Sequence, residues 1–208
     1  QAISKESFLK SLESARSEVF ATRPTEPMMR NFINFAIDRV NMSKSEKVPE
    51  LKRLIKDTNR LLTESREKEE EAINKFGMGL IREDSNVYTH CHSSTVTSIL
   101  KAAHGSKKFI VYSTETRPLF QGRITAKELS DAGVHVVHAV DSCAAIVLSK
   151  CSAMIVGADA ISADGSVINK VGSGMFAHMA ASKNIPVYVC TSSWKYDPET
   201  VHNHEKIE

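Results

Sequence analysis

No Gly-x-Gly-x-x-Gly fingerprint follows the first strand-like run, and no Walker A loop occurs. Two common phosphate-binding loops are therefore absent. The four cysteines, Cys91, Cys143, Cys151 and Cys190, include no Cys-x-x-Cys pair. That spacing indicates neither a zinc ribbon nor a thioredoxin-type site, and the usage fits a reducing cytoplasm. No apolar run is long enough to span a bilayer. The start, Gln1-Ala2-Ile3-Ser4-Lys5-Glu6, lacks both an initiator Met and the basic-then-apolar order of a signal peptide, which leaves the true amino terminus open. Charge of one sign is also missing: 27 basic residues meet 25 acidic ones, for a net +2. A dedicated nucleic-acid surface usually carries a basic excess on one face, so direct nucleic-acid binding is not expected.

What remains is an ordinary globular composition, 41% hydrophobic and 25% charged. With 208 residues the chain can bury a real core, as one large domain or a smaller pair. Its character changes near residue 80. Phe8, Leu9, Leu12, Ala15 and Val19 recur at helical spacing, as do Met28, Phe32, Phe35, Ala36 and Val40. A third helix is expected from Val48 to Phe76, with Leu51, Leu54, Ile55, Leu61 and Leu62 on its apolar side. The charges from Glu64 to Glu71 read as its solvated face.

From Ser85 onward short apolar runs alternate with amphipathic stretches. Strands are expected at Val87–His90, Lys108–Tyr112, His135–Ala139, Ala153–Val156 and Val187–Cys190. Helices are expected at Thr95–Ala103, Thr125–Ala132, Ser142–Ser149 and Ser173–Ser182, with Gly133 ending the second. Such alternation indicates βαβ units and a parallel sheet. The fold class is α/β: an N-terminal helical domain over residues 1–80, then a Rossmann-like parallel-sheet domain over 81–208.

Two side chains stand out as proton-transfer groups. Cys91, in Tyr88-Thr89-His90-Cys91-His92-Ser93-Ser94, falls between a strand and a helix beginning near Ser93. A helix amino terminus can favour a thiolate, the form that acts as a base. Asp159, in Ile155-Val156-Gly157-Ala158-Asp159-Ala160, also follows a strand. In open parallel sheets ligands bind outside the carboxyl ends of the strands. A solvent-facing turn is the plainer reading of an isolated Asp. It suits Asp164-Gly165, read as a tight turn, and Asp141 is read as a helix N-cap. Arg117, Asn169, Lys170 and Lys195 are suited to holding phosphate or sugar hydroxyls. Arg23 sits in a similar Thr-Arg-Pro context. Gly172-Ser173-Gly174 opens a helix and could hold an anion. On a strand, His90 and His92 would point away from Cys91, and His135, His138, His202 and His204 are scattered. No metal site is expected.

Several segments together resemble a known family. They are Ser113-Thr114-Glu115-Thr116-Arg117-Pro118, Gln121-Gly122-Arg123-Ile124-Thr125-Ala126-Lys127-Glu128-Leu129, Gly157-Ala158-Asp159-Ala160-Ile161, Gly165 to Gly172, and Trp194-Lys195-Tyr196. The chain is similar to the superfamily of the α, β and δ subunits of translation initiation factor 2B and its enzyme relatives. Those relatives are the methylthioribose-1-phosphate and archaeal ribose-1,5-bisphosphate isomerases. Thr89-His90-Cys91-His92-Ser93 resembles the Cys motif of the archaeal isomerase, whereas the methylthioribose enzyme typically has Cys-Asn-Ala-Gly there. The resemblance implies an aldose–ketose isomerase that makes ribulose 1,5-bisphosphate through an enediol-type intermediate, in nucleotide salvage. It implies Cys91 and Asp159 as the catalytic pair, and Arg23, Ser93, Arg117, Asn169, Lys170 and Lys195 as substrate-binding residues. It implies no metal or other cofactor, a homo-oligomer (dimer or hexamer), and a nucleotide as candidate effector. The alternatives are a non-catalytic regulatory subunit and the methylthioribose enzyme. The enzymes carry an Arg-Gly-Ala loop upstream of the Thr-Arg-Pro segment that is absent here, and they usually continue past Glu208. Either the chain begins after that loop or the protein has lost it.

Overall fold

The computed structural model describes residues 4–23 and 26–198. Pro24, Thr25, His202 and His204 lie outside the described residues. Contacts sort these residues into two units. One takes the chain through Glu69, then Asp159–Val167 and the residues from Ser193. The other takes Glu70–Ala158 and Ile168–Ser192.

The first unit is mainly helical. Helix α1, Lys5–Thr22, starts at Ser4, whose hydroxyl accepts from the Ser7 N–H at 3.2 Å and so satisfies one of the orphan donors of the first turn. Helix α2, Pro27–Asn41, opens on a proline, at a position where no N–H is needed. Helix α3, Val48–Gly79, runs three residues beyond the expected Phe76. Phe8, Val40, Val48 and Leu51 bury themselves together, with Leu9, Leu12, Leu54 and Ile55 against them. The helical spacing thus marked these core residues, but Val19, Phe35 and Leu61, expected on the same apolar stripes, are exposed. A small sheet of order β6-β5-β8 completes this part: β5 is Ala160–Ser162, β6 Val167–Ile168 and β8 Tyr196–Asp197. Sequence spacing did not reveal these strands, because two or three residues are too few to show alternation. The tight turn at Asp164-Gly165 does form. Gly165 has φ +83°, and the Asp164 carboxylate accepts from the Ser162 and Ser166 hydroxyls and the Ser166 N–H.

The second unit holds a five-stranded, all-parallel sheet of order β3-β2-β1-β4-β7. Its strands are β1 Ser85–Thr89, β2 Phe109–Thr114, β3 His135–Ala139, β4 Ala153–Val156 and β7 Val187–Val189. Successive side chains on a strand face opposite sides. Val87, Val111 and Ile155 enter one apolar core with Ile99, Leu100 and Leu129. Tyr88, Tyr112, Met154 and Val156 enter another with Leu148, Phe176 and Ala180. Burial on both faces explains why the central strands β2 and β4 read as near-continuous apolar runs. The helices between them are α4 Ser94–His104, α5 Gln121–Asp131, α6 Ala144–Leu148 and α7 Ser173–Ala181. The last turns of α3 belong to this unit. Met78 O in its last turn and Ile81 O just past its end accept from Lys107 Nζ at 2.7 and 2.6 Å, a cation placed where the helix end is negative.

Two helices differ from expectation. Helix α5 begins at Gln121, four residues before Thr125, because Gly122 is not a breaker there. Its Cα lies so close to β2 that a Cβ would stand 1.8 Å from Thr114 O. At its other end Gly133 (φ +85°) terminates it as expected, with Val134 N–H bonded to Leu129 O and Gly133 N–H to Ser130 O. The expected Ser142–Ser149 helix is a 3-10 turn, Asp141–Cys143, followed by α6. Asp141 does not cap it; the carboxylate is engaged elsewhere, as described below. Among the described residues no helix is long and apolar enough to cross a membrane.

Candidate active site

The strand order reverses between β1 and β4. In doubly wound sheets that switch point opens a crevice at the carboxyl ends of the strands. Cys91 follows β1 and Gly157 follows β4, two neighbouring strands in register at Val87↔Ala153 and Tyr88↔Met154. Ser93 is the N-cap of α4, its hydroxyl accepting from Val96 N–H. A Cβ on Gly157 would meet Ser93 Oγ at 2.6 Å, so this glycine lets the end of β4 lie against the start of α4. The expected placement of Cys91 between strand and helix therefore holds.

The local backbone is unusual. Cys91 adopts φ +69° and Thr116 φ +61°. Both values lie in the left-handed region, which a β-branched residue rarely enters. Such strain persists only where surrounding contacts over-determine it. The contacts are present. Cys91 N–H donates to Thr116 Oγ1 at 2.9 Å, and Thr125 Oγ1 donates to Cys91 O at 2.8 Å. Thr116 and Arg117 donate their N–H groups to the two Asp141 carboxylate oxygens at 2.9 and 2.7 Å. Burial alone would raise the Asp141 pKa, but these bonds outweigh it and hold the carboxyl below its ordinary value.

His90 and His92 lie beyond the end of β1, so strand alternation does not govern them. The His90 ring is buried and meets Phe176 edge-on at 4.6 Å between centroids. Its Nε2 lies 3.1 Å from Val171 O, which can only accept, so Nε2 carries the proton. Nδ1 lies 3.1 Å from Thr114 Oγ1 and 3.3 Å from Thr116 Oγ1. Burial lowers the His90 pKa, against the raising effect of the Val171 carbonyl and the Asp141 charge. The neutral ring thus ties the Cys91 turn to the segment just after Lys170. His92 Nδ1 lies 3.1 Å from Thr125 Oγ1.

The other candidates separate by unit. Arg117, Asn169 and Lys170 belong with Cys91 and Ser93; Arg23, Asp159 and Lys195 belong to the helical unit. Arg117 is exposed, with its guanidinium 4.6 Å from the Phe120 ring centroid. Asn169 Nδ2 donates to Ser173 Oγ at 3.0 Å in the first turn of α7. Gly172 is the N-cap of that helix, as the glycine pair suggested. Asp159 is exposed and follows Ala158 in the segment leaving β4. Lys195 is half-buried in a 3-10 turn, followed directly by β8. Its neighbour Trp194 packs edge-on against Phe32 at 4.7 Å between centroids. Arg23, at the end of α1, pairs with Glu26 at 3.2 Å on an exposed surface.

Sequence reasoning missed the Thr114, Thr116, Thr125 and Asp141 scaffold. No sequence signal announces a left-handed threonine. Of the other cysteines, Cys151 and Cys190 are buried, and burial lifts the Cys151 thiol to about 12. Cys143 is only half-buried. A cavity of about 320 Å³ lies at the opposite edge of the sheet, beside His104, Lys108 and His135, away from Cys91.

A five-stranded parallel sheet with helices between its strands makes this an α/β protein, with a thiol at the switch point of the sheet. The Initiation factor 2 subunit family model matches residues 1–208, and the chain belongs to that family. The ribose 1,5-bisphosphate isomerase of Thermococcus kodakarensis is 33% identical over 204 residues, which is 97% of this chain and 63% of that protein. A methylthioribose-1-phosphate isomerase of Desulforamulus reducens is 32% identical over 200 residues, 90% of this chain and 58% of that protein. The crystal structure of a Pyrococcus horikoshii translation initiation factor eIF-2B aligns with a TM-score of 0.83 at 26% identity, covering 98% of this chain and 71% of that one. The chain thus spans less than two thirds of the length of the curated relatives it matches.

Proposed function

We propose that the protein is a sugar-phosphate aldose–ketose isomerase, with ribose 1,5-bisphosphate as substrate and ribulose 1,5-bisphosphate as product. The observation that carries this reading is the position of Cys91: a thiol in a braced left-handed turn at the end of β1, two residues ahead of the α4 N-cap. The dipole end of α4 favours negative charge there. The 33% identity to an archaeal ribose 1,5-bisphosphate isomerase supports the substrate.

The reaction requires opening of the ring at the C1–O bond. A proton leaves C2 and one arrives at C1, the C2 hydroxyl loses a proton, and the former ring oxygen gains one. Cys91 exchanges the carbon-bound proton and Asp159 the oxygen-bound ones. Arg117 and Lys170 bind phosphate, while Ser93 and Asn169 orient hydroxyls, with Arg23 and Lys195 as further phosphate ligands. Neither a metal nor a redox cofactor enters this scheme. Like its relatives as the family resemblance portrays them, the protein works as a homo-oligomer in the cytoplasm, with a nucleotide as candidate effector.

The test is to incubate the full-length protein with ribose 1,5-bisphosphate and, separately, methylthioribose 1-phosphate, and to follow the ketose product. Preference for the bisphosphate is expected; preference for the methylthio substrate would reassign it. A second reading, a non-catalytic regulatory subunit, is favoured by the likeness to the Pyrococcus initiation factor structure. A folded protein that turns over neither substrate but captures initiation factor 2 in a pull-down would support that reading instead.

A further inference from the structure

The peptide groups on both sides of Cys91 are held by threonine hydroxyls from two different elements. Thr116, in the loop after β2, accepts from the Cys91 N–H; Thr125, on α5, donates to the Cys91 carbonyl. Thr116 is itself fully buried and left-handed. Its Oγ1 accepts from the Cys91 N–H, and its single proton faces two acceptors, Thr114 O at 3.2 Å and the unprotonated His90 Nδ1 at 3.3 Å. A valine in this place would keep the shape but lose every one of these bonds. Thr116 is in turn fixed from outside by the Asp141 carboxylate, which takes the N–H groups of Thr116 and Arg117. The chain of contacts is therefore Asp141 to Thr116 to Cys91. It spans β3's exit, β2's exit and β1's exit, along the edge of the sheet where the thiol stands.

We propose that Thr116 is a positioning residue for the Cys91 thiol and that Asp141 is the brace that keeps Thr116 in its left-handed conformation. Neither touches substrate in this account; both act through the backbone of Cys91. The proposal rests on the reading of Cys91 as the proton-transfer group. Loss of the Thr116 hydroxyl leaves the Cys91 N–H without its acceptor and releases the turn from its strained geometry. A displacement of about 1 Å at a reacting group can cost on the order of a hundredfold in rate.

The experiment compares Thr116→Val, Thr116→Ser and Asp141→Asn with wild type in the full-length protein. Two readouts are taken. One is kcat and KM for ribose 1,5-bisphosphate. The other is the rate of iodoacetamide alkylation at Cys91, measured by peptide mass spectrometry relative to Cys143. Thr116→Val and Asp141→Asn are expected to lower kcat at least about tenfold. They are also expected to shift the relative alkylation rate at least about fivefold. Thr116→Ser, which keeps the hydroxyl, stays within about threefold of wild type in both. Equal behaviour of Val and Ser overturns the proposal, because the hydroxyl would then do nothing that the backbone does not. If the wild type turns over no substrate, the isomerase reading fails, yet the alkylation comparison still decides whether Thr116 positions the thiol. Should Thr116→Val not fold, Thr125→Val against Thr125→Ser makes the same contrast at the Cys91 carbonyl.

Discussion

Gly122→Ala should destabilise the protein although alanine is the better helix former. Gly122 is the second residue of α5, and a Cβ there would stand 1.8 Å from Thr114 O and 2.9 Å from Thr116 Oγ1. Real Cβ atoms essentially never approach within 3.0 Å, so more than an ångström of movement is required. The obstacle at closest range is backbone, held in the β2–β3 ladder, and it cannot rotate away. Overpacking typically costs about 1–3 kcal/mol, and a backbone obstacle puts this case at the upper end. Helix propensity returns up to about 1 kcal/mol. The net expectation is a loss of about 2 kcal/mol. Gly174→Ala is the control: it occupies the same second position of α7, where a Cβ meets nothing within 4 Å. The propensity gain is then unopposed, and stability should rise by up to about 1 kcal/mol. Urea unfolding of the two variants beside wild type, at constant m-value, reads both numbers. If Gly122→Ala were as stable as Gly174→Ala, the close approach of α5 to β2 would be wrong. The seating of Thr125 under Cys91 would fall with it.

Other expectations follow from burial and charge. Leu100 is fully buried in the core on the α4 side of the sheet, so Leu100→Ala should lose about 2–5 kcal/mol in urea unfolding. Lys107→Met keeps the stem but removes the cation from the end of α3; loss of its two carbonyl bonds should cost about 2 kcal/mol in the same assay. Burial holds His90 below its ordinary pKa, so the unfolded chain binds the proton more readily than the folded one. Its contribution is complete above the unfolded value near 6.5 and is lost as the pH falls below it. His90→Gln should therefore flatten the decline in stability between about pH 7 and 5, as measured by unfolding at a series of pH values; an unchanged slope would refute the buried neutral ring.

The alternation of apolar runs with helical stripes made the sheet legible in the sequence. Expected strands His135–Ala139 and Ala153–Val156 form with those bounds, and the others shift by only a few residues. Buried parallel strands and amphipathic helices leave strong local patterns. The Cys91 turn was legible as a strand-to-helix junction for the same reason. What surrounds it was not. Asp141 looked like a cap because acidic residues before helices usually are, yet its carboxylate serves a loop 24 and 25 positions earlier. Thr116 gave no sign of its left-handed backbone, since that conformation is imposed by tertiary bonds against local preference. The expected helix start at Thr125 left out Gly122, whose role is a close contact with Thr114 O. The short strands β5, β6 and β8 were invisible because their pairing is long-range and their length carries no period.

The proposed role of Cys91 is to move the carbon-bound proton. Its most direct test is ribulose 1,5-bisphosphate formation from ribose 1,5-bisphosphate by the full-length protein and by its Cys91→Ser variant, with circular dichroism to confirm the fold of both. Turnover by the wild type and none by the folded variant is expected. Retained turnover in Cys91→Ser would contradict that role.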